Sequence, residues 1–201
     1  MIVSASVAVL LDRLLGMVGL VLLVIVALPL SMNYIYDGAV RLALYAVVAA
    51  AAGAIGFILT LDRLTAKFRK WRIVRGLTAL SKDARRLLFS ADPGIRVILL
   101  SIGVHVISIL AIAALALATN IDVHWTAFVV VVPIAILLMT VPVSIAGWGV
   151  REGVMVVGLG YAGVAAEQAV ALSILFGFLV LVIALPGGLV WMIAGRRPIE
   201  K

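Results

Sequence analysis

Five stretches of this chain run without a single Asp, Glu, Lys or Arg: Leu14 to Tyr36, Leu42 to Leu61, Val97 to Ala118, Ala127 to Val150 and Gln168 to Gly195. Each reaches or exceeds the roughly 20 apolar residues that a helix needs to cross about 30 Å of hydrocarbon. A transmembrane β-barrel is disfavoured, because its strands alternate apolar and polar residues over about ten positions and these runs do not alternate. A soluble domain is disfavoured as well. Only 12% of the residues are charged, about half the share that a water-soluble fold uses, and the mean hydropathy is +1.32. The expected class is all-α: one polytopic membrane domain over residues 1–201, a bundle of helices in the bilayer.

The formal net charge of +7 would suit a nucleic-acid partner if it were spread over a surface, but it is concentrated in one place. Nine of the sixteen Lys and Arg residues lie between Asp62 and Pro93. Basic residues gathered in one polar connection are the mark of a cytoplasmic loop on a membrane protein, so no nucleic acid is expected as a partner. The chain contains no cysteine, which removes disulfides, thiolate nucleophiles and cysteine-ligated metals. The first residues lack a basic start before the apolar run and a small-residue cleavage pattern, so they are not a typical secretory signal. Met1 to Leu11 is itself mostly apolar, and the chain is expected to begin within an element, with an upstream portion either missing or never present.

Orientation follows from the basic segment. With residues 62–93 and the C-terminal Arg196, Arg197 and Lys201 in the cytoplasm, Leu42 to Leu61 runs inward and Val97 to Ala118 runs outward. The Tyr36–Asp37 and Asp122–Trp125 connections then lie outside. From an outside Trp125 to an inside Arg197 the chain must cross an odd number of times, and Gln168 to Ala194 supplies one crossing. Residues 127–161 therefore make zero or two net crossings. Two pictures satisfy this: a re-entrant hairpin whose bend, Pro142 to Gly153, lies part-way through the membrane, or two tilted short helices meeting at the cytoplasmic surface. The second arm, Gly153 to Ala166, is about 21 Å long as helix and falls short of the hydrocarbon thickness. The expected architecture is about four full spans plus a re-entrant or short-helix hairpin at about 127–161.

The sequence VPVSIAGWGVREGV over residues 141–154 has the chemistry of a helix break. Pro142 removes a backbone donor, Gly147 and Gly149 allow conformations closed to other residues, and Ser144 can bond freed backbone groups. Arg151 and Glu152 follow at once. At depth a charge costs about 2.5 to 3.5 kcal/mol on insertion scales, so buried charges pair, face the bundle interior and mark substrate paths. On that reading Arg151 holds a lipid phosphate through its planar donor fork, and Glu152 pairs with another cation or a cationic headgroup. On the alternative reading the two residues anchor a loop at the cytoplasmic interface. Asp12 and Arg13 form a second adjacent pair, either as an inner-end anchor or as part of one four-charge network with Arg151 and Glu152.

Residues 62–93 place Leu64, Phe68, Trp71, Val74, Leu77, Leu80, Leu87 and Leu88 at mostly three- and four-residue steps among basic residues. This is an amphipathic helix, with a break expected at Gly76, lying on an anionic inner leaflet; ordinary positive-inside topology explains its charge equally well. His105 reads as a single polar link to a neighbouring helix. Pro186, Gly187 and Gly188 read as a kink in the last span. Two separated histidines and no acidic cluster make a metal site unexpected. No Ser, His and Asp arrangement, phosphate-binding loop or cofactor fingerprint is present, so neither an enzyme nor a cofactor is expected.

PVSIAGWGVRE resembles the P-x-S-x-G-G-x-G-x-R-E signature of the lysylphosphatidylglycerol synthase transmembrane-region family of flippase-like proteins. LLDRLLG, with Asp12 and Arg13, is similar to that family's acidic-Arg motif, and ALSILFGFLVLVIALPGGL to its final helix. Ala146 stands where Gly is usual and Gly177 where many members carry Arg. The resemblance implies a bacterial inner-membrane protein that binds or moves a polar-headed phospholipid or glycolipid between leaflets, with Arg151, Glu152, Asp12, Arg13 and Ser144 toward the lipid. Members are usually longer, so the chain is expected to be the C-terminal part of the family core. Members that synthesise aminoacylated lipids carry a soluble domain after the membrane part, an activity not expected here. Two other readings compete: an accessory membrane subunit that docks a glycosyltransferase or lipid-modifying enzyme on residues 62–93, and an ion- or proton-coupled transporter that titrates Glu152.

Overall fold

A computed structural model describes residues 2–32, 35–64, 72–140 and 147–194. They form seven helices: α1 (Ile2–Ser31), α2 (Gly38–Leu64), α3 (Arg72–Leu88), α4 (Ala91–Ala118), α5 (Trp125–Met139), α6 (Val150–Gly160) and α7 (Ala166–Ala194). Among the described residues there is no strand. Stretches long and apolar enough to cross a membrane occupy Val9–Ser31, Gly38–Leu61, Asp92–Ala118 and Ala166–Val190, in α1, α2, α4 and α7. The chain is an all-α, multi-pass membrane protein, with four such spans among the described residues.

α5 and α6 are shorter and lie back to back. At 1.5 Å per residue they are about 22 and 16 Å long. Their register is antiparallel: a methyl group added at Gly158 would strike Val131, and one at Gly147 would strike Met139. The α1 and α4 helices meet closely, with Gly16 and Gly19 of α1 beside Ser101 of α4. The far end of α6 returns to the α1–α2 connection, where the Tyr161 hydroxyl donates to Asp37 Oδ2 at 3.4 Å. Both ends of the hairpin are closed by the same device. After α4, Asn120 takes a left-handed φ of 53° and the Ile121 amide returns to the Ala116 carbonyl at 2.9 Å. After α6, Gly163 takes φ 87° and the Val164 amide returns to the Leu159 carbonyl at 3.1 Å. Each closure satisfies carbonyls that the helix end would leave open and buries an apolar residue, Ile121 or Val164.

The core gathers around this hairpin. α5 is apolar on every side, the pattern of a fully buried helix, and Ala127, Phe128, Val130 to Ala135 and Leu137 are all buried. Phe128, Val131 and Val132 meet Met155 and Leu159 of α6, Leu172 and Phe176 of α7, and Ile109 and Ile112 of α4. On its other side, Val130 and Ile134 meet Val24 and Ala27 of α1 and Val48 of α2. Large apolar residues such as Leu42, Leu100, Leu117 and Ile183 are exposed on the outer faces of the long helices, where a bilayer covers them.

Two sequence expectations change here. α3 runs unbroken through Gly76 from Arg72 to Leu88. Its inner face is applied to the protein and not to a leaflet: Leu80, Ser81 and Ala84 are buried against α1 and α2, and Ser81 Oγ donates to the Leu59 carbonyl at 3.1 Å. Small side chains at 81 and 84 let α3 come close enough for that contact. Lys82, Asp83 and Arg86 point away from it and are exposed. α7 is helical through Pro186, Gly187 and Gly188, and a kink there needs no end to the helix. Lys67, Phe68, Arg69, Lys70 and Trp71, and the tail from Gly195 to Lys201, lie outside the described residues.

Candidate functional site: a charged bend inside the bundle

Of the bend itself, residues 141–146 lie outside the described residues, and with them Pro142, Ser144 and Ala146. The part that leads into α6 is described. Gly147 and Gly149 have φ of 78° and 84°, a left-handed backbone that costs a residue with a Cβ about 1 to 2 kcal/mol. Gly147 is also pressed against the Met139 side chain, while Gly149 faces open space. Two left-handed glycines around Trp148 turn the chain from the end of α5 into α6. Gly149 begins α6 without a side chain to cap it. The cap comes from Glu152 instead, whose Oε2 accepts the Gly149 amide. That satisfies one of the donors that every helix start leaves open.

The other oxygen of Glu152 anchors Arg151. Oε1 accepts from Arg151 Nη2 at 2.9 Å and Nε at 3.2 Å. Ser173 of α7 lies between the two, accepting from Arg151 Nε at 2.9 Å and donating to Glu152 Oε1 at 3.0 Å. The guanidinium lies over the Trp148 ring, 5.2 Å from its centre, close enough for a cation–π attraction. It also rests on Gly177, where a Cβ would come within 2.5 Å of Nη2 and 2.9 Å of Nη1. The Arg151 and Glu152 side chains are 7% and 15% exposed. Among the described residues, Nη1 has no hydrogen-bond partner.

The position of this cluster along α7 sets its depth in the bundle. Ser173 and Gly177 lie seven and eleven residues into α7, or about 10 and 16 Å along a helix of roughly 44 Å. Arg151 therefore sits about two to three turns in from the start of α7, inside the bundle and not at its edge. The tip of α5 stops at similar depth, since Ile136 and Met139 share a cavity wall with Gly16 and Leu20 of α1 and with Ser101 and His105 of α4.

That cavity, of about 760 Å³, is where the structure places the second charged pair. Asp12 and Arg13 line it, both exposed. The four charges do not form one network: Arg151 is bonded to Glu152 and Ser173, while among the described residues Asp12 and Arg13 have no ion-pair partner. Deeper in the cavity, Ser101 Oγ donates to the Gly16 carbonyl at 3.1 Å and His105 Nε2 lies 3.2 Å from the same oxygen. His105 thus links α4 to α1, as its isolation in an apolar run suggests. Sequence reasoning alone misses Ser173, Ser101 and Gly16 as parts of these sites, and only the family resemblance singles out Gly177. Ser173 carries a readable signal, as the one hydroxyl residue in the run from Gln168 to Gly195.

Chemically, the bend offers a cation held at fixed position in a water-poor interior, with donors suited to a phosphate or carboxylate. Among the described residues there is no group of His, Asp and Glu able to hold a metal ion. No curated protein and no solved structure matches the chain significantly. A protein-family model, that of the lysylphosphatidylglycerol synthase TM region, matches residues 2–188. With nearly the whole helical bundle inside that match, the chain belongs to the lysylphosphatidylglycerol synthase transmembrane-region family.

Proposed function

We propose that the chain is a non-catalytic, flippase-like protein of the bacterial inner membrane, which binds a polar-headed phospholipid or glycolipid and carries its headgroup between the leaflets. The observation that carries this reading is the placement of Arg151: a buried guanidinium about 10 to 16 Å along α7 from its start, at a break between two short helices, with Nη1 uncommitted among the described residues. α5 and α6 act as a re-entrant hairpin. Irregular backbone at depth is tolerated only where protein or a polar cavity surrounds it, and α1, α4 and α7 provide that surround. Arg151 receives the phosphate while Glu152 and Ser173 hold the guanidinium in place and balance its charge. The α3 end faces the cytoplasm because the basic residues collect there. Lys82 and Arg86, on the outer side of α3, then meet anionic headgroups of the inner leaflet.

The test is lipid translocation in reconstituted vesicles. Replacing Arg151 alone strands a buried carboxylate and threatens the fold, so the informative variant replaces both partners, Arg151→Met with Glu152→Leu. Apolar replacements of similar volume for a buried ion pair are often neutral in stability. A folded double variant that no longer moves headgroup-labelled lipid supports the reading. One that moves lipid at the parental rate reduces the cluster to a structural brace.

A further inference from the structure

We infer that the cavity between α1, α4 and the tip of α5 seats a zwitterionic phospholipid headgroup, with Arg13 on the phosphate and Asp12 on the ammonium. This rests on the reading that the chain handles polar-headed lipids, but not on the role given to Arg151.

Successive residues on a helix point about 100° apart, so Asp12 and Arg13 diverge and do not neutralise each other. Both nevertheless border one cavity. Two opposite charges held apart at one opening complement a ligand that carries two opposite charges a short bridge apart. A purely anionic headgroup would satisfy Arg13 and be repelled by Asp12; a purely cationic one would be repelled by Arg13. The cavity therefore discriminates by like-charge repulsion as well as by attraction.

The depth of the two residues fits a headgroup. They immediately precede the charge-free run that begins at Leu14, the edge of the stretch that hydrocarbon covers. Beyond them the cavity turns apolar. Ser101 and His105 are bonded to the Gly16 carbonyl, and Thr140 Oγ1 donates to the Leu137 carbonyl at 2.6 Å. Leu100 and Val104 line the cavity and are also 71% and 62% exposed on α4, so the wall is continuous with the surface that a bilayer covers. A charged opening with an apolar wall open toward lipid suits a phospholipid whose chains stay in the membrane better than a soluble phosphate.

The experiment measures binding of short-chain phosphatidylethanolamine and phosphatidylglycerol to the full chain in detergent, by native mass spectrometry and by competition. The parent should prefer phosphatidylethanolamine. Asp12→Asn should shift the ratio toward phosphatidylglycerol by about tenfold, the scale expected when one charge-assisted hydrogen bond is removed and one repulsion relieved. Arg13→Gln should weaken both lipids. Glycerophosphoethanolamine, which carries the headgroup without chains, should compete poorly; competition as strong as the lipid's would assign the cavity to a soluble ligand and overturn the proposal. An unchanged ratio in Asp12→Asn overturns it too, as does a parent that binds neither lipid. Because both residues are exposed, folding is not at stake in either variant. If the Arg151 and Glu152 double variant keeps transport while Asp12→Asn still shifts the ratio, the role of Arg151 fails and the headgroup site stands.

Discussion

The chain contains two adjacent acid–base pairs, Asp12 with Arg13 and Glu152 with Arg151, and the fold treats them in opposite ways. At the bend the pair is buried, joined by two hydrogen bonds and bridged by Ser173. On α1 the pair is exposed, divergent and without an ion-pair partner among the described residues. Neighbours on a helix do not ordinarily face each other, and the α1 pair obeys that rule. The pair at 151–152 escapes it because Glu152 curls back to cap the Gly149 amide, which brings its carboxylate over the first turn of α6. Then α7 closes the arrangement from outside with one hydroxyl and one bare Cα. The same two residue types form a rigid brace in one place and two open charges in the other, and third elements make the difference.

The largest effect that would break the comparison is expected at Glu152. Glu152→Ala removes the cap of α6 and leaves a buried guanidinium uncompensated, a loss of about 3 to 5 kcal/mol. It should appear as a clear fall in the unfolding midpoint in detergent. Asp12→Ala in the same assay should change little. Equal losses at the two sites would mean that Asp12 is also engaged, and would erase the contrast.

The backbone of the bend comes next. Gly147→Ala meets both a left-handed φ and the Met139 side chain, so the strain of about 1 to 2 kcal/mol is joined by an overpacking cost of about 1 to 3 kcal/mol. Gly149→Ala meets the φ alone and should cost only about 1 to 2 kcal/mol. Thermal melts of the two variants separate backbone strain from crowding. A larger loss at Gly149 would contradict the packing of Met139 against the bend.

How much of this is legible in the sequence follows from the range of each interaction. The four spans are readable because freedom from charge over 20 residues is a local property. The hairpin at 127–161 is readable because loop charges fix parity. Gly147 and Gly149 are readable because closely spaced glycines after a proline signal a backbone that other residues avoid. What is not readable depends on partners far along the chain. Ser173 and Gly177 meet Arg151 from 22 and 26 positions away, and the only hints are a lone hydroxyl and a missing side chain in an apolar run. The separation of the two charged pairs is invisible for the same reason, because whether Asp12 reaches Arg151 depends on where the tip of α5 stops. The packing of α3 against α2 depends on the small residues Ser81 and Ala84, which look unremarkable beside the leucines and arginines around them.

Ser173→Ala sharpens the comparison at smaller scale. It removes the hydroxyl that accepts from Arg151 and donates to Glu152, at an expected cost of about 1 to 3 kcal/mol. It leaves the direct pair in place. In the double-variant background, where Arg151→Met and Glu152→Leu have removed both charges, the same substitution should cost much less. That difference is the coupling energy of a double-mutant cycle. A coupling near zero would show that Ser173 only fills space between α6 and α7.

The smallest stability effect is expected where the functional effect is large. Asp12→Asn and Arg13→Gln alter exposed side chains that have no ion-pair partner among the described residues, so each should keep the unfolding midpoint within the equivalent of about 0.5 kcal/mol. Asp12→Asn should still shift lipid preference, and Arg13→Gln should still weaken lipid binding. A buried brace and an open receptor divide along this line: removing the brace costs stability first, and removing the receptor costs lipid recognition alone. If Asp12→Asn lowered the midpoint by as much as Ser173→Ala does, the α1 pair would be a second brace, and the cavity it borders would lose its claim on a headgroup. An unchanged midpoint with an altered lipid ratio would make the two pairs separable by measurement, one holding the hairpin and the other choosing what lies beneath it.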